Sequence, residues 1–323
     1  MDAGSRQRVK DTMPPVPSHA RLAALPLLAL LAGVIALGSS PILVRLSELE
    51  PTATGFYRVA LAAPAFLLFA AFEGRSPAPA AVVGTRRRDL LWLTAAGGFF
   101  ALDLICLHWS LRYTSIANAT LFLNSAPFFV ALGAWAIFGE LPAGRTAAGF
   151  LVAIAGVALL VGGVSTFNPQ RALGDGLGVL AGAAYGSYLL IVSRFRHRMP
   201  TSMVMGVTTL ACACFLLPAT LFMGESLVPP TAVGWVTLLA LALLTHAGGQ
   251  GLLVFAMKYL PASTSSVTQL LQPVVAAASA WLIFAEALGF WQIVGGGIVL
   301  LGIFLCHGAA ARPVPVSRTL HGP

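Results

Sequence analysis

Few side chains in this 323-residue chain could do chemistry, and most of those stand inside apolar runs. Asp103 lies nine residues before Arg112, and Arg58 lies seven residues after Pro51. At 1.5 Å of rise per residue these positions are roughly 13 Å and 10 Å from the same face of a bilayer, so they share a depth. An ionisable group at the centre of a spanning helix costs about 2.5–3.5 kcal/mol or more, which marks it as functional or structurally locked. Arg58 and Asp103 either pair as a lock between two helices or line one aqueous cavity, and proton coupling through Asp103 stays open. His246 lies twelve residues before Lys258, about 18 Å from the opposite face. The stretch His246-Ala-Gly-Gly-Gln250-Gly251 either unwinds beside a substrate or packs closely through its glycines, with a neutral histidine bonded to a neighbouring helix. His108 and Asp103, five residues apart, sit about 140° apart on a helix and share no face.

Neutral polar residues form two further sets. Ser265, Thr268, Gln269 and Gln272 recur at i, i+3, i+4 and i+7, one face of an α-helix. Asn118, Thr120, Asn124 and Ser125 form a second set around Pro127. Amides in hydrocarbon must line a cavity or bond a neighbour, so the two sets read either as opposite walls of one central cavity or as interhelical glue. Amides and hydroxyls suit a substrate that both donates and accepts hydrogen bonds. Trp92, Trp109, Tyr113 and Phe122 could add apolar walls or act as interfacial anchors. Pro127 and Pro273 should kink their helices by removing a backbone bond, as hinges or as permanent bends. Glu140 and Glu286 end their spans just before the next helix, where a carboxylate satisfies free N–H groups and the positive end of the dipole. Ion coupling is the other reading of this pair.

Such residues need membrane helices to position them. Hydrophobic residues make up 58% of the chain and charged residues 9%, and mean hydropathy is +0.86. Ordinary soluble domains carry about 25% charged residues, and disorder needs low hydrophobicity. A span takes roughly 20 apolar residues, and ten fit: 22–44, 52–72, 90–111, 115–138, 146–164, 174–193, 202–223, 231–256, 262–284 and 288–308. The first run is too long for a signal-peptide core and reads as a span. The expected fold is therefore an all-α polytopic membrane protein of ten transmembrane helices, with tails at 1–21 and 309–323.

With the N-terminus in the cytoplasm, fifteen of the 19 Lys and Arg fall on the inside and three, Arg45, Arg112 and Arg171, on the outside. Arg58 is within a span. The positive-inside rule then places both termini in the cytoplasm of a cell inner membrane protein. The net charge of +8 is explained by these loops, and no nucleic-acid partner is expected. Cys106, Cys212, Cys214 and Cys306 all fall in apolar stretches without metal-ligand spacing. No metal or cofactor is expected.

The chain also repeats itself. A shift of 146 residues superposes 113–160 on 259–306 without a gap. Tyr113 meets Tyr259, Pro127 meets Pro273, Trp135 meets Trp281, Phe138 meets Phe284, Glu140 meets Glu286, Gly149 meets Gly295 and Gly156 meets Gly302. Each half, 22–164 and 174–308, holds five spans. An odd number turns the second copy upside down, the architecture of many secondary transporters.

On these features the chain resembles the drug/metabolite transporter superfamily, EamA type. The resemblance is carried by the Pro-to-Glu pattern of spans four and nine, the Gly149-to-Gly156 helix, Gly38 with Arg45, Arg58, and Tyr185-Gly186 with Arg194. It departs at Leu37, where a Trp commonly precedes the glycine, and at Tyr185, where the family usually carries Trp. The resemblance implies a carrier working by alternating access that either exports amino acids, drugs or other small metabolites or imports sugars and nucleotide sugars, with export the expected direction. The substrate pathway is then expected along Arg58, Asp103, Asn118, Asn124, Tyr185, His246, Gln250, Gln269 and Gln272, with Pro127, Pro273, Glu140 and Glu286 as hinges or structural corners. Gly174, Gly178, Gly182 and Gly186 form a small-residue stripe for packing within the monomer, for sliding or for a dimer.

Rival classes lack their residues. There is no P-loop, no HExxH, no paired carboxylates in one span and no defensible nucleophile triad, so neither an ATPase nor a membrane enzyme is indicated. A channel would need a filter or a ring of charges. A proton-coupled carrier should lose its response to a pH gradient in Asp103→Asn. Unchanged transport with an unchanged pH profile would exclude coupling through this residue.

Overall fold

The computed structural model describes residues 19–73, 87–113, 122–138, 144–160, 169–195, 198–284 and 289–310. Among these residues the chain forms ten helical spans and no strand. The first is α1, His19–Gly38 resuming as Ser40–Arg45, and the second is α2, Pro51–Ala60 resuming as Ala63–Glu73. Then come α3 (Arg87–Tyr113), α4 (Ala126–Phe138), α5 (Gly144–Leu160), α6 (Pro169–Phe195) and α7 (Thr201–Phe222). The last three are α8 (Ala232–Ala240, Leu241–Gln250, Gly251–Ala256), α9 (Ala262–Thr268, Gln269–Leu271, Gln272–Phe284) and α10 (Phe290–Ala310). Seven helices are long and apolar enough to cross a membrane, and α4, α5 and α10 contribute shorter apolar stretches. Large apolar side chains such as Phe222, Leu282 and Phe304 stand exposed on the outside of the bundle, as expected where the solvent is lipid.

Proline explains where the spans break. Pro41, Pro64, Pro127 and Pro273 are each the second residue of a resumed helical segment in α1, α2, α4 and α9. Proline has no N–H, and its ring clashes with the carbonyl four residues back, so the helix fails just upstream and restarts with proline in its first turn. Pro127 and Pro273 therefore do not kink continuous helices from their middles, as the sequence suggested. They open new segments. The freed backbone groups are taken up by tighter i→i−3 bonds. Ile42 N–H donates to the Ser39 carbonyl (3.2 Å), Ala65 to Ala62 (3.1 Å), and Phe128 to Ser125 (2.9 Å). Gln272 N–H donates to the Gln269 carbonyl in the same way. Pro26 and Pro218, by contrast, lie inside continuous segments of α1 and α7.

The two copies of the repeat meet at glycine. A Cβ on Gly156 would stand 2.6 Å from Val299 N and 2.8 Å from the Gly295 carbonyl. A Cβ on Gly302 would meet the Gly149 carbonyl at 2.6 Å and would also strike Ala153 N. This crossing of α5 and α10 is reciprocal, each helix offering the counterpart of the other's glycine. Around it Ala153, Val157, Val267, Leu270 and Val299 are buried. The larger core joins α1, α2, α3, α6, α7 and α8 around Leu30, Phe66, Phe100, Tyr188 and Leu216. Two glycines of the α6 stripe pack against α4 within the chain. A Cβ on Gly182 would stand 3.0 Å from the Phe122 carbonyl and one on Gly186 3.1 Å from the Ala126 carbonyl.

Residues 46–50 and 223–231 share the face opposite the start of α1, here the far face. Their carboxylates tie α2 to α8. Glu225 Oε2 accepts from Ala53 N (2.6 Å) in the first turn of α2. Glu48 accepts from Thr231 Oγ1 (2.6 Å) and Thr231 N (3.2 Å) at the start of α8. Tyr57 OH donates to the Leu227 carbonyl (2.7 Å).

Within α10, Gly297 has no heavy atom within 4 Å of an added Cβ. Gly302→Ala should destabilise the protein by about 1–3 kcal/mol through overpacking, while Gly297→Ala should be neutral or stabilising by up to about 1 kcal/mol. Thermal melting of the two variants in detergent separates them, and equal melting points would contradict the crossing.

Candidate functional site

Five of the ten spans depart from regular α-helix, and their irregular segments converge. Between them lies a cavity of about 100 Å³. Leu37 lines it from just before the α1 break, Arg58 from just before the α2 break, and Leu123, Asn124 and Pro127 from the α4 break. Ser266, Gln269 and Gln272 line it from the α9 break, and Gln250 from the end of the irregular stretch of α8. Phe100, Asp103, Leu104 and Leu107 of α3 and Tyr185 of α6 complete the wall. Both copies of the repeat contribute.

The polar atoms of this wall are only partly satisfied by one another. Arg58 Nη1 donates to Ser40 Oγ (3.2 Å), while Arg58 Nε and Asp103 Oδ1 are buried without a hydrogen-bond partner. The two side chains share the cavity and do not close into a direct ion pair. Asp103 is 4% exposed. A second group links three helices. Tyr185 OH lies 2.6 Å from Gln269 Oε1 and 3.3 Å from Gln250 Oε1, and Gln272 Nε2 donates to Gln269 Oε1 (3.2 Å). One phenolic hydrogen cannot serve two acceptors. The shorter bond takes it, and the longer contact is satisfied when the Gln250 amide turns so that Nε2 donates to the phenol oxygen. Gln250 Nε2 and Gln269 Nε2 are buried without a partner as placed. An orphaned buried polar group costs about 1–3 kcal/mol, so these amides would bind water or a polar ligand in the cavity.

The structure sorts the residues singled out from the sequence. Arg58, Asp103, Asn124, Tyr185, Gln250, Gln269, Gln272 and Pro127 come together on one cavity. His246 does not reach it. It is 1% exposed, its Nε2 lies 2.9 Å from Thr209 Oγ1, and its ring stacks on the back of Phe100 (5.5 Å, 21°). Nor does its glycine-rich stretch unwind. Leu241–Gln250 widens into a π-helix, in which Gly251 N–H reaches back to the His246 carbonyl. There the glycines admit α1, since a Cβ on Gly249 would stand 3.1 Å from the Gly33 carbonyl and 3.0 Å from Leu37 Cγ. Wide π turns recur at functional sites, and this one delivers Gln250. Trp92, Trp109 and Tyr113 stand partly exposed away from the cavity. Pro273 is buried beside Gln272 in the first turn after the α9 break. Asn118, Thr120, Glu140 and Glu286 lie outside the described residues.

Seven lining residues were not singled out from the sequence: five aliphatic ones, Leu104, Leu107, Leu123, Ala126 and Leu270, together with Phe100 and Ser266. Phe100 is an ordinary aromatic in an apolar run, with no local signal. Ser266 was hidden by the wrong period. In a 3₁₀ turn, three residues per turn align i, i+3 and i+6, and Ser266, Gln269 and Gln272 have that spacing across Gln269–Leu271. Ser265, on the expected α-helical stripe, is instead buried with its hydroxyl unpartnered.

The model of the EamA-like transporter family matches residues 24–162 and 172–307, most of the chain in two copies. The chain belongs to the EamA-like transporter family. It is a multi-pass membrane carrier and not an enzyme. An uncharacterized transporter of Archaeoglobus fulgidus is 26% identical over 272 residues, covering 81% of this chain and 89% of its own. A solved protein crystal structure with 18% identity superposes with a TM-score of 0.74 over 88% of this chain and 98% of its own, a likeness of fold.

Tyr185→Phe should lower stability by about 1 kcal/mol and raise the KM for exchange. Thr209→Val removes the partner of His246 behind the wall, so it should lower stability by a similar amount with KM unchanged. Exchange kinetics and melting curves of both variants check the split.

Proposed function

We propose that this EamA-family carrier exports small zwitterionic metabolites, amino acids foremost, across the cytoplasmic membrane by alternating access. The observation that carries the reading is the presence of Arg58 and Asp103 on one cavity without a direct pair between them. A guanidinium receives a carboxylate through a fork of donors, and a carboxylate receives an ammonium group. A substrate carrying both would offset the desolvation of each. Gln250, Gln269, Gln272, Asn124 and Tyr185 add neutral donors and acceptors for the remainder of the molecule. The apolar side is given by Leu37, Phe100 and Leu104.

Size supports the same reading. A closed cavity of about 150 Å³ takes up benzene, so a cavity of about 100 Å³ suits a small metabolite better than a large drug. Orientation follows from the basic loops, with both termini in the cytoplasm and the far face outside. The proposed direction, export, is supported by the family resemblance carried by the sequence. The units that rock against one another are the two five-helix repeats, 22–164 and 174–308, with the α5–α10 crossing as their shared seam.

Counterflow in proteoliposomes tests the function. Vesicles loaded with one amino acid should take up labelled amino acid saturably, and Arg58→Gln should reduce the rate at least tenfold. The assay repeated under an imposed pH gradient reads proton coupling. Uptake that is linear in concentration, or no exchange of any zwitterion by folded protein, would contradict the proposal.

A further inference from the structure

A second and larger cavity, about 460 Å³, opens at the far face between α2, α3 and the end of α7. Glu50, Thr52, His108, Trp109, Met223 and Glu225 line it. No residue is shared with the central cavity, yet the two nearly adjoin. Arg58 lines one and Thr52 the other, and between them on α2 stands Gly55, where a Cβ would meet His108 Cε1 at 3.1 Å and Leu104 Cδ1 at 3.9 Å. Leu104 and Leu107 wall the central cavity, while His108 and Trp109 wall the outer one. One His108–Gly55 contact thus forms part of the partition.

The lining has a chemical character of its own. Two carboxylates, an indole face and an imidazole surround the space. Glu225 spends one oxygen on Ala53 N–H, and this neutralises the positive end of α2. His108 is 7% exposed, and its Nδ1 is buried without a partner. Anionic walls of low dielectric concentrate cations, and an indole face attracts an ammonium group. A volume of this order falls within the usual range for small-ligand sites, about 300–1,000 Å³.

We propose that this outer cavity is a second binding site, for an organic ammonium group, reached from the far face. On the export route read above it would receive the amine end of the substrate after passage by His108. The proposal rests on that reading for the direction of passage alone.

Thiol labelling tests it. In a chain with Cys106, Cys212, Cys214 and Cys306 replaced by alanine, Thr52→Cys is reconstituted and exposed to membrane-impermeant methanethiosulfonates, one cationic and one anionic. Relative to their rates with a free thiol, the cationic reagent should react about tenfold faster or more. Glu50→Gln with Glu225→Gln should remove the preference, since glutamine still accepts from Ala53 N–H. External butylammonium should slow labelling of the parent and fail to slow it in the double variant. Met223→Cys, also on the wall, serves as the second reporter if Thr52→Cys does not fold or does not label. No labelling from the far face, no charge preference, or no protection by butylammonium would overturn the site. Counterflow without charge preference would sink this site and spare the carrier reading, whereas charge preference without counterflow would do the reverse.

Discussion

A broken helix in hydrocarbon exposes backbone groups that lipid cannot satisfy, each worth several kcal/mol. This constraint organises the molecule. Four spans break just before a helical restart that places proline in its first turn, and a fifth widens into a π-helix. Each of the five supplies cavity-lining residues at its irregular stretch or within one turn of it. Tight i→i−3 bonds take up part of the loss. Burial within protein takes up the rest, because irregular backbone at membrane depth is tolerated where it is covered or lines a cavity. The breaks thus fix where the polar residues can be, and the smooth helices α5, α7 and α10 do the packing around them.

The polar site inherits its asymmetry from the two copies. Arg58 and Asp103 both come from the first, whereas the amides Gln250, Gln269 and Gln272 come from the second. Tyr185, at the start of the second copy's helical set, bonds toward α8 and α9. One half of the cavity wall is therefore charged and the other neutral. Motion of one copy against the other would change the distance from the charged half to the neutral half, which is the geometry a carrier needs. The seam for such motion is glycine on glycine at α5 and α10, where there is little side chain to interlock. The ties at the far face, Glu225 to Ala53 and Glu48 to Thr231, cross between the copies.

Much of this was legible in the amino-acid sequence because membrane helices announce themselves by length and because matched Pro, Trp and Glu at one offset reveal a repeat. Buried charge is equally visible, and Arg58 and Asp103 stood out by depth alone. What stayed hidden has physical causes. The α-helical period aligned Ser265 with Gln269, but a 3₁₀ turn brings Ser266 into line. His246 sits in a glycine-rich stretch that fits either an unwound helix or a close crossing, and only the approach of Gly33 to Gly249 decides for the crossing. Phe100 has no signature apart from its neighbours. The bond from Ala53 to Glu225 joins residues far apart in the chain, and neither residue alone suggests the other.

The central claim is that Arg58 and Asp103 read opposite ends of one substrate. The direct measurement is exchange of three matched solutes, a zwitterion, its amine without the carboxylate, and its acid without the amine, by the parent chain, Arg58→Gln and Asp103→Asn. The parent should prefer the zwitterion. Arg58→Gln should lose the discrimination against the amine, and Asp103→Asn the discrimination against the acid. If both variants slow all three solutes by the same factor, the two charges act on the fold and not on the substrate, and the account fails.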